Sequence, residues 1–250
     1  MSAYRPPEWS YPVVALAGAV VLWAAFVSLL DVPPFLLPHP VEVARRLVGN
    51  PDLYLDAAVA TTVKVFVGGA AGTLLGFLIG VAVGEIPPLW RAISPYLVVA
   101  RVLPVVSLAP LLIIYFGVGF ATGVGFVALM ALFPMAISTA AGFRRTPDAA
   151  LDLTRSVDAS RLRVLFAVRL PYAAPDVVAG LRQAVTLAVV GAVLAEWFVS
   201  DGGLGYLILL ASESIRPDIM LASLALVFVI GFSLYGAVGL LGSRVRQRVE

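Results

Sequence analysis

The stretch GFRRTPDAALDLTRSVDASRLRVLFAVRLPYAAPD, residues 142–176, decides how the rest of this chain is read. It is basic and amphipathic, and long apolar runs flank it on both sides. It is too long for a simple turn. It is also too charged to cross a bilayer, where each central charge costs about 2.5–3.5 kcal/mol. Leu153, Val157, Val164, Leu165 and Val168 recur at near-helical spacing, with Asp152, Arg155, Asp158, Arg161 and Arg169 between them. Asp158 and Ser160 are both suited to cap a second short helix. The pattern predicts two short helices with a bend, closed by Leu170-Pro171. Pro175 then favours an extended entry into the next apolar run. Such a segment either rests on a membrane surface or docks a partner.

The 250 residues are 61% hydrophobic and only 13% charged. Soluble domains are nearer half apolar and a quarter charged, so this is an integral membrane protein. A net charge of +2 is too small to point to nucleic acid. Without cysteine, disulfides, thiol catalysis and thiolate metal sites are excluded. The sole histidine, His39, reads as a loop residue between Pro38 and Pro40, with no second histidine to complete a metal site. The first apolar run, 11–30, is too long for a signal core and lacks a small-residue cleavage site before Asp31.

Six segments meet or nearly meet the length needed to span a bilayer: 11–30, 58–84, 96–116, 122–141, 177–198 and 219–242. Helix is the expected form, because lipid offers no partner to an open strand. The third segment holds Arg101, Pro104 and Pro110 and should be kinked. With the N-terminus inside, eleven arginines fall on inside segments and three, Arg45, Arg46 and Arg216, on outside ones. That asymmetry places both termini in the cytoplasm. The first outside loop is proline-rich and then amphipathic, which predicts a short helix on the outer surface. The whole chain reads as one transmembrane domain. Residues 1–57 hold the tail, first span and outside loop, 58–242 the core bundle with the 142–176 loop, and 243–250 a cytoplasmic tail.

Within the second span, Gly68, Gly72, Gly76, Gly80 and Gly84 keep an unbroken four-residue spacing. Such a stripe admits a second backbone at close range and places this span inside a bundle. Lys64 lies near the outer end of the same span and is expected to reach the interface. Arg182, about one turn into the fifth span, is likewise within reach of the headgroups. Arg101 either lines a water-filled path or anchors a helix end. Glu196, just before Trp197, faces either a cavity or the interface.

Read with these surroundings, the 142–176 segment resembles the cytoplasmic motif of type I ABC importer permeases, most closely the nitrate/sulfonate/taurine branch. In that motif Glu-Ala-Ala is followed by three residues, a glycine, and an Ile-x-Leu-Pro-like close. Asp152 takes the glutamate position, Leu153 and Thr154 the alanines, and Asp158 the glycine. Ala159, Ser160 and Arg161 match the usual continuation, and Leu170 and Pro171 the close. The first half departs from the pattern. An aspartate still tolerates the left-handed bend that the glycine would make. LLPHPVEV (36–43), TTVKVFVGGAAGTLLGFLIGVAVG (61–84), SPYLVVARVLPVVSLAPLLIIYFGVG (94–119) and GLRQAVTLAVVGAVLAEWFVSDGGLGYLI (180–208) resemble the same branch, in the same order.

The resemblance implies an all-α polytopic permease with six transmembrane helices and a cytoplasmic coupling helix. It would lie in a prokaryotic cytoplasmic (inner) membrane. Two copies would form a homodimer around one path. Two ATP-binding subunits would grip the 148–169 loop, and an extracytoplasmic solute-binding protein would deliver substrate. Asp148, Asp152, Arg155, Asp158, Ala159, Ser160, Arg161, Leu170 and Pro171 are the implied coupling residues. Arg101, Pro104, Ser107 and Glu196 are candidates for the path. Asp201, Gly203, Leu204, Gly205 and Tyr206 are candidates for the binding-protein contact. The chain itself carries no cofactor site. A phosphate-cradling Walker A loop needs a lysine after its last glycine, and the only lysine, Lys64, follows Ala60-Thr-Thr-Val63. ATP and magnesium would therefore sit on the partner. An intramembrane protease would need convergent catalytic groups within the spans. An ion-coupled transporter working without an ATPase would show an internal repeat and midplane carboxylates. Neither pattern is visible. Nitrate, sulfonates, taurine and thiamine- or riboflavin-type precursors all remain open as substrates.

Overall fold

The computed structural model describes residues 10–100, 105–199 and 202–249. Among them every regular element is helical. The first is α1, Ser10–Leu29, which is exposed along nearly its whole length. Next comes α2, Pro40–Gly49, the short surface helix expected from the loop pattern. Its start explains His39, which is a cap rather than plain loop: Nδ1 accepts from the Val41 N–H at 3.2 Å. Then follow α3 (Pro51–Glu85), α4 (Pro87–Ala100), a 3-10 turn (Val105–Leu108) and α5 (Ala109–Phe116). The second half holds α6 (Phe120–Arg144), α7 (Asp148–Ser156), α8 (Arg161–Val164) and a π-helical turn (Leu165–Arg169). It closes with α9 (Leu170–Val199), α10 (Leu204–Glu213) and α11 (Pro217–Val249).

The core is α3 against α6 and α6 against α9, and the glycine stripe is its cause. A Cβ on Gly68, Gly72, Gly76, Gly80 or Gly84 would stand 2.2–2.7 Å from atoms of α6, closer than carbon tolerates. Absent side chains let the two backbones meet, as the four-residue spacing predicted. The partners climb together: Gly68 meets Val124 and Val127, Gly76 meets Leu132, and Gly84 meets Phe143. So α3 and α6 run parallel. Helix α9 runs the other way, with Gly180 against Ser138 and Gly191 against Met130.

Among the described residues, five helices, not six, are long and apolar enough to cross a membrane. The third expected span is not one kinked helix. It is divided into α4, the 3-10 turn and α5, with residues 101–104 outside the described residues. Proline accounts for part of the division. Pro95 sits inside α4, and Pro110 opens α5, where a missing N–H is tolerated. Gly117, at φ 74°, ends α5 in a conformation that favours glycine. The parallel course of α3 and α6 still requires the chain to recross between them. Six crossings are thus made with five long helices.

Candidate functional site

Two clusters of polar groups mark the two ends of the bundle. At one end lies the 142–176 segment, where α7 stops in a bend that its sequence dictates. Asp158 has φ 46°, the left-handed conformation expected of the residue in the glycine position. Its N–H donates to the Arg155 carbonyl at 3.2 Å, and the Ala159 N–H donates to the Thr154 carbonyl at 3.0 Å. This is the Schellman pattern, with aspartate where glycine is usual. The hydroxyl of Ser160 then caps α8 by accepting from the Arg163 N–H at 3.4 Å.

Leu170-Pro171 does not close the segment, and Pro175 does not impose an extended entry. Helical backbone runs on from α8 through the π-helical turn into α9, with Pro171 in the first turn of α9 and Pro175 inside it. In a regular helix the Pro171 ring would press on the carbonyl four residues back, that of Ala167. The wider turn, in which the Leu170 N–H donates to the Leu165 carbonyl, fits a proline at its end. A bent handle is therefore rooted directly in a long helix.

Three contacts spread from that root. Arg145, at the end of α6, meets Asp176 of α9 at 2.7 Å. Arg169 meets Glu85, at the end of α3, at 3.1 Å, a charge contact not aligned as a hydrogen bond. The Arg144 guanidinium lies 5.1 Å from the Trp90 ring centre of α4. Asp148, Asp152, Arg155, Asp158, Ser160 and Arg161 are exposed, with Asp152 and Arg155 paired to each other at 2.7 Å. Ala159, Leu170 and Pro171 are half-buried. Four apolar groups on the handle, Leu153, Val157, Leu162 and Phe166, are 63–69% exposed.

At the far end Glu196 is wholly buried. Its Oε1 accepts from Thr61 Oγ1 at 2.9 Å and from Lys64 Nζ at 3.2 Å. Its Oε2 accepts from the Gly205 N–H at 2.7 Å. Thr61 Oγ1 in turn accepts from the Leu204 N–H at 2.8 Å, and Lys64 Nζ donates to the Gly202 carbonyl at 3.1 Å. A carboxylate thus accepts from a buried N–H in the first turn of α10, where the helix dipole favours negative charge. Gly203, at φ 114°, is obligatory, because a Cβ there would lie 2.1 Å from the glutamate oxygen.

This cluster bears on two expectations. Lys64 does not reach for the interface; it is buried and paired. Glu196 is fully buried and ties α3, α9 and α10 together. Gly203, Leu204 and Gly205 are buried in the same cluster, with Tyr206 half-buried beside them. Of the other path candidates, Ser107 is exposed on the 3-10 turn, while Arg101 and Pro104 lie outside the described residues, as does Asp201. Arg182 packs its guanidinium over Tyr235 of α11 at 5.6 Å. Sequence reading missed Glu85 and the Lys64–Glu196 pair. The one signal for them was a lone charge ending or interrupting an apolar helix.

Residues 72–247 match the family model described as the binding-protein-dependent transport system inner membrane component. The chain belongs to this family. A probable ABC transporter permease of Haemophilus influenzae is 35% identical to this permease over 228 residues, covering 90% of this chain and 91% of that one. The taurine transport system permease protein TauC of Escherichia coli is 28% identical over 259 residues, covering 98% and 92%. The nitrate/sulfonate/taurine branch named from the sequence is the branch found. Among solved structures, the inward-facing MetNI methionine ABC transporter matches with a TM-score of 0.63 at 18% identity. It covers 81% of this chain and 98% of its own. The permease therefore has the type I importer fold. It is a multi-pass inner-membrane subunit of an ABC importer, a class that works with ATPase and binding-protein partners.

Proposed function

We propose that the 148–169 handle of this permease is the element gripped by a separate ATPase subunit, and that it drives the opening and closing of the path. One observation carries this: the handle continues into α9 without a break and is charge-tied to α3 and α6 at its root. A push on the exposed Leu153, Val157, Leu162 and Phe166 is then felt by all three core helices. ATP and magnesium sit on the partner, and hydrolysis belongs there. The handle end faces the cytoplasm, both termini lie on that side, and two copies of the chain flank one path. Alternating access follows from rocking the bundle.

Leu162→Glu or Phe166→Glu is the direct test, since both side chains are exposed and neither packs the bundle. Either variant is expected to insert normally and to lose co-purification with the ATPase. Wild-type yield of the complex would end the proposal. Leu170, half-buried in the first turn of α9, would test folding instead. Native mass spectrometry of the intact transporter checks the two-copy assembly.

A further inference from the structure

All three outside arginines, the adjacent Arg45 and Arg46 and the remote Arg216, line one cavity of about 560 Å3 between α2 and the turn before α11. A binding protein docks on the outer face, and Gly203, Leu204 and Gly205 of the segment expected to meet it are buried around Glu196. Asp218 accepts from Arg46 at 2.5 Å and from Arg216 at 3.1 and 3.0 Å, so one carboxylate is shared by two cations. Arg45 lines the same cavity, is exposed, and makes no ion pair or hydrogen bond among the described residues. With Glu42 counted, three cations face two anions in the lining. Pro34 and Pro38 stiffen one wall, so the cavity is preformed.

Ile215 adds a second, independent sign. It lines the cavity with φ 51°, a conformation that is a genuine outlier for a β-branched residue, and its side chain is 69% exposed. A strained backbone holding an apolar group out beside an unmatched cation is the chemistry of a protein contact, apolar centre and charged reader together.

We infer that this cavity is the seat for an acidic side chain of the soluble binding protein, with Arg45 as the cation that reads it and Ile215 as the apolar rim. The inference rests on the importer reading and on the outer placement of α2.

The test uses the complete transporter in nanodiscs and measures ATPase stimulation against the concentration of its binding protein. Arg45→Glu is expected to raise the half-maximal concentration about tenfold or more, with the full rate regained at saturation. Glu42→Gln, which removes a negative charge from the same cavity, is expected to lower it. Added salt should weaken the wild-type interaction and leave Arg45→Glu nearly unmoved. A half-maximal concentration within about twofold of wild type for Arg45→Glu would overturn the inference. So would a response that follows the anionic lipid content of the disc instead of the binding protein, which would make the cavity a headgroup site. If the wild-type complex shows no stimulation at all, the importer reading fails, and that failure is distinguishable from a failure of the docking seat.

Discussion

Glu196 is the residue on which the far end turns. Its carboxylate is buried in an apolar span and is tolerated because Lys64, Thr61 and the Gly205 N–H meet it together. Removing one member of a buried pair strands the other, at a cost of about 3–5 kcal/mol. Glu196→Ala is therefore expected to lower stability by roughly that amount in a denaturation series. Glu196→Gln should lose less, since an amide oxygen still accepts from Gly205. The double variant Lys64→Met with Glu196→Met should lose less than the two single changes summed, and simple additivity would contradict the pairing. At the handle, the departure of Asp158 from glycine was legible in advance, because the motif spacing named the position and the side chain tolerates the bend. The Lys64–Glu196 pair was not legible. Its members are 132 positions apart, and only the parallel fit of α3 and α6, with α9 beside them, brings them together.

At the scale of the elements, the spans were legible because each is a long apolar run with few charges. The glycine stripe even named which face of α3 would be packed. Gly72→Val is expected to disrupt this contact, since a Cβ would stand 2.2 Å from the Ala128 carbonyl oxygen, and overpacking of this kind costs about 1–3 kcal/mol or more. Gly18→Val in α1 has nothing within 4 Å and is expected to be neutral. Equal thermal stability of the two variants would refute the packing argument. The division of the third crossing was only half legible. Its prolines foretold a kink, but whether a proline bends a helix or ends it depends on neighbours that the sequence does not place. The π-helical turn was missed for a related reason, since Leu170-Pro171 reads as a stop. Pro171→Ala restores a backbone donor and removes the ring, so a regular turn competes with the wide one. Each residue of register is worth about 100° of rotation. The expected outcome is a transporter that still assembles and hydrolyses ATP but imports less substrate per ATP, measured in proteoliposomes.

On the scale of the whole molecule, the charge asymmetry from which the orientation is expected also draws attention to its own exceptions. Arg45, Arg46 and Arg216 were the three that did not fit, and they converge on a single cavity. Fold and family were legible because several weak motifs occurred in a fixed order. Which groups close on one another was not, because it depends on helix register across the bundle.

The stretch from Arg161 to Phe198 is a single 38-residue run of helix, about 57 Å at 1.5 Å per residue. It carries the proposed grip of the ATPase at one tip and the Glu196 carboxylate near the other. If that grip and the distal tip are coupled through this rod, the coupling is reciprocal: a ligand that favours one arrangement of the distal tip alters nucleotide affinity by the same factor, and the reverse. Weakening the carboxylate's surroundings with Thr61→Val should therefore shift the ATP concentration needed for half-maximal turnover, although Thr61 lies a membrane's width from any nucleotide.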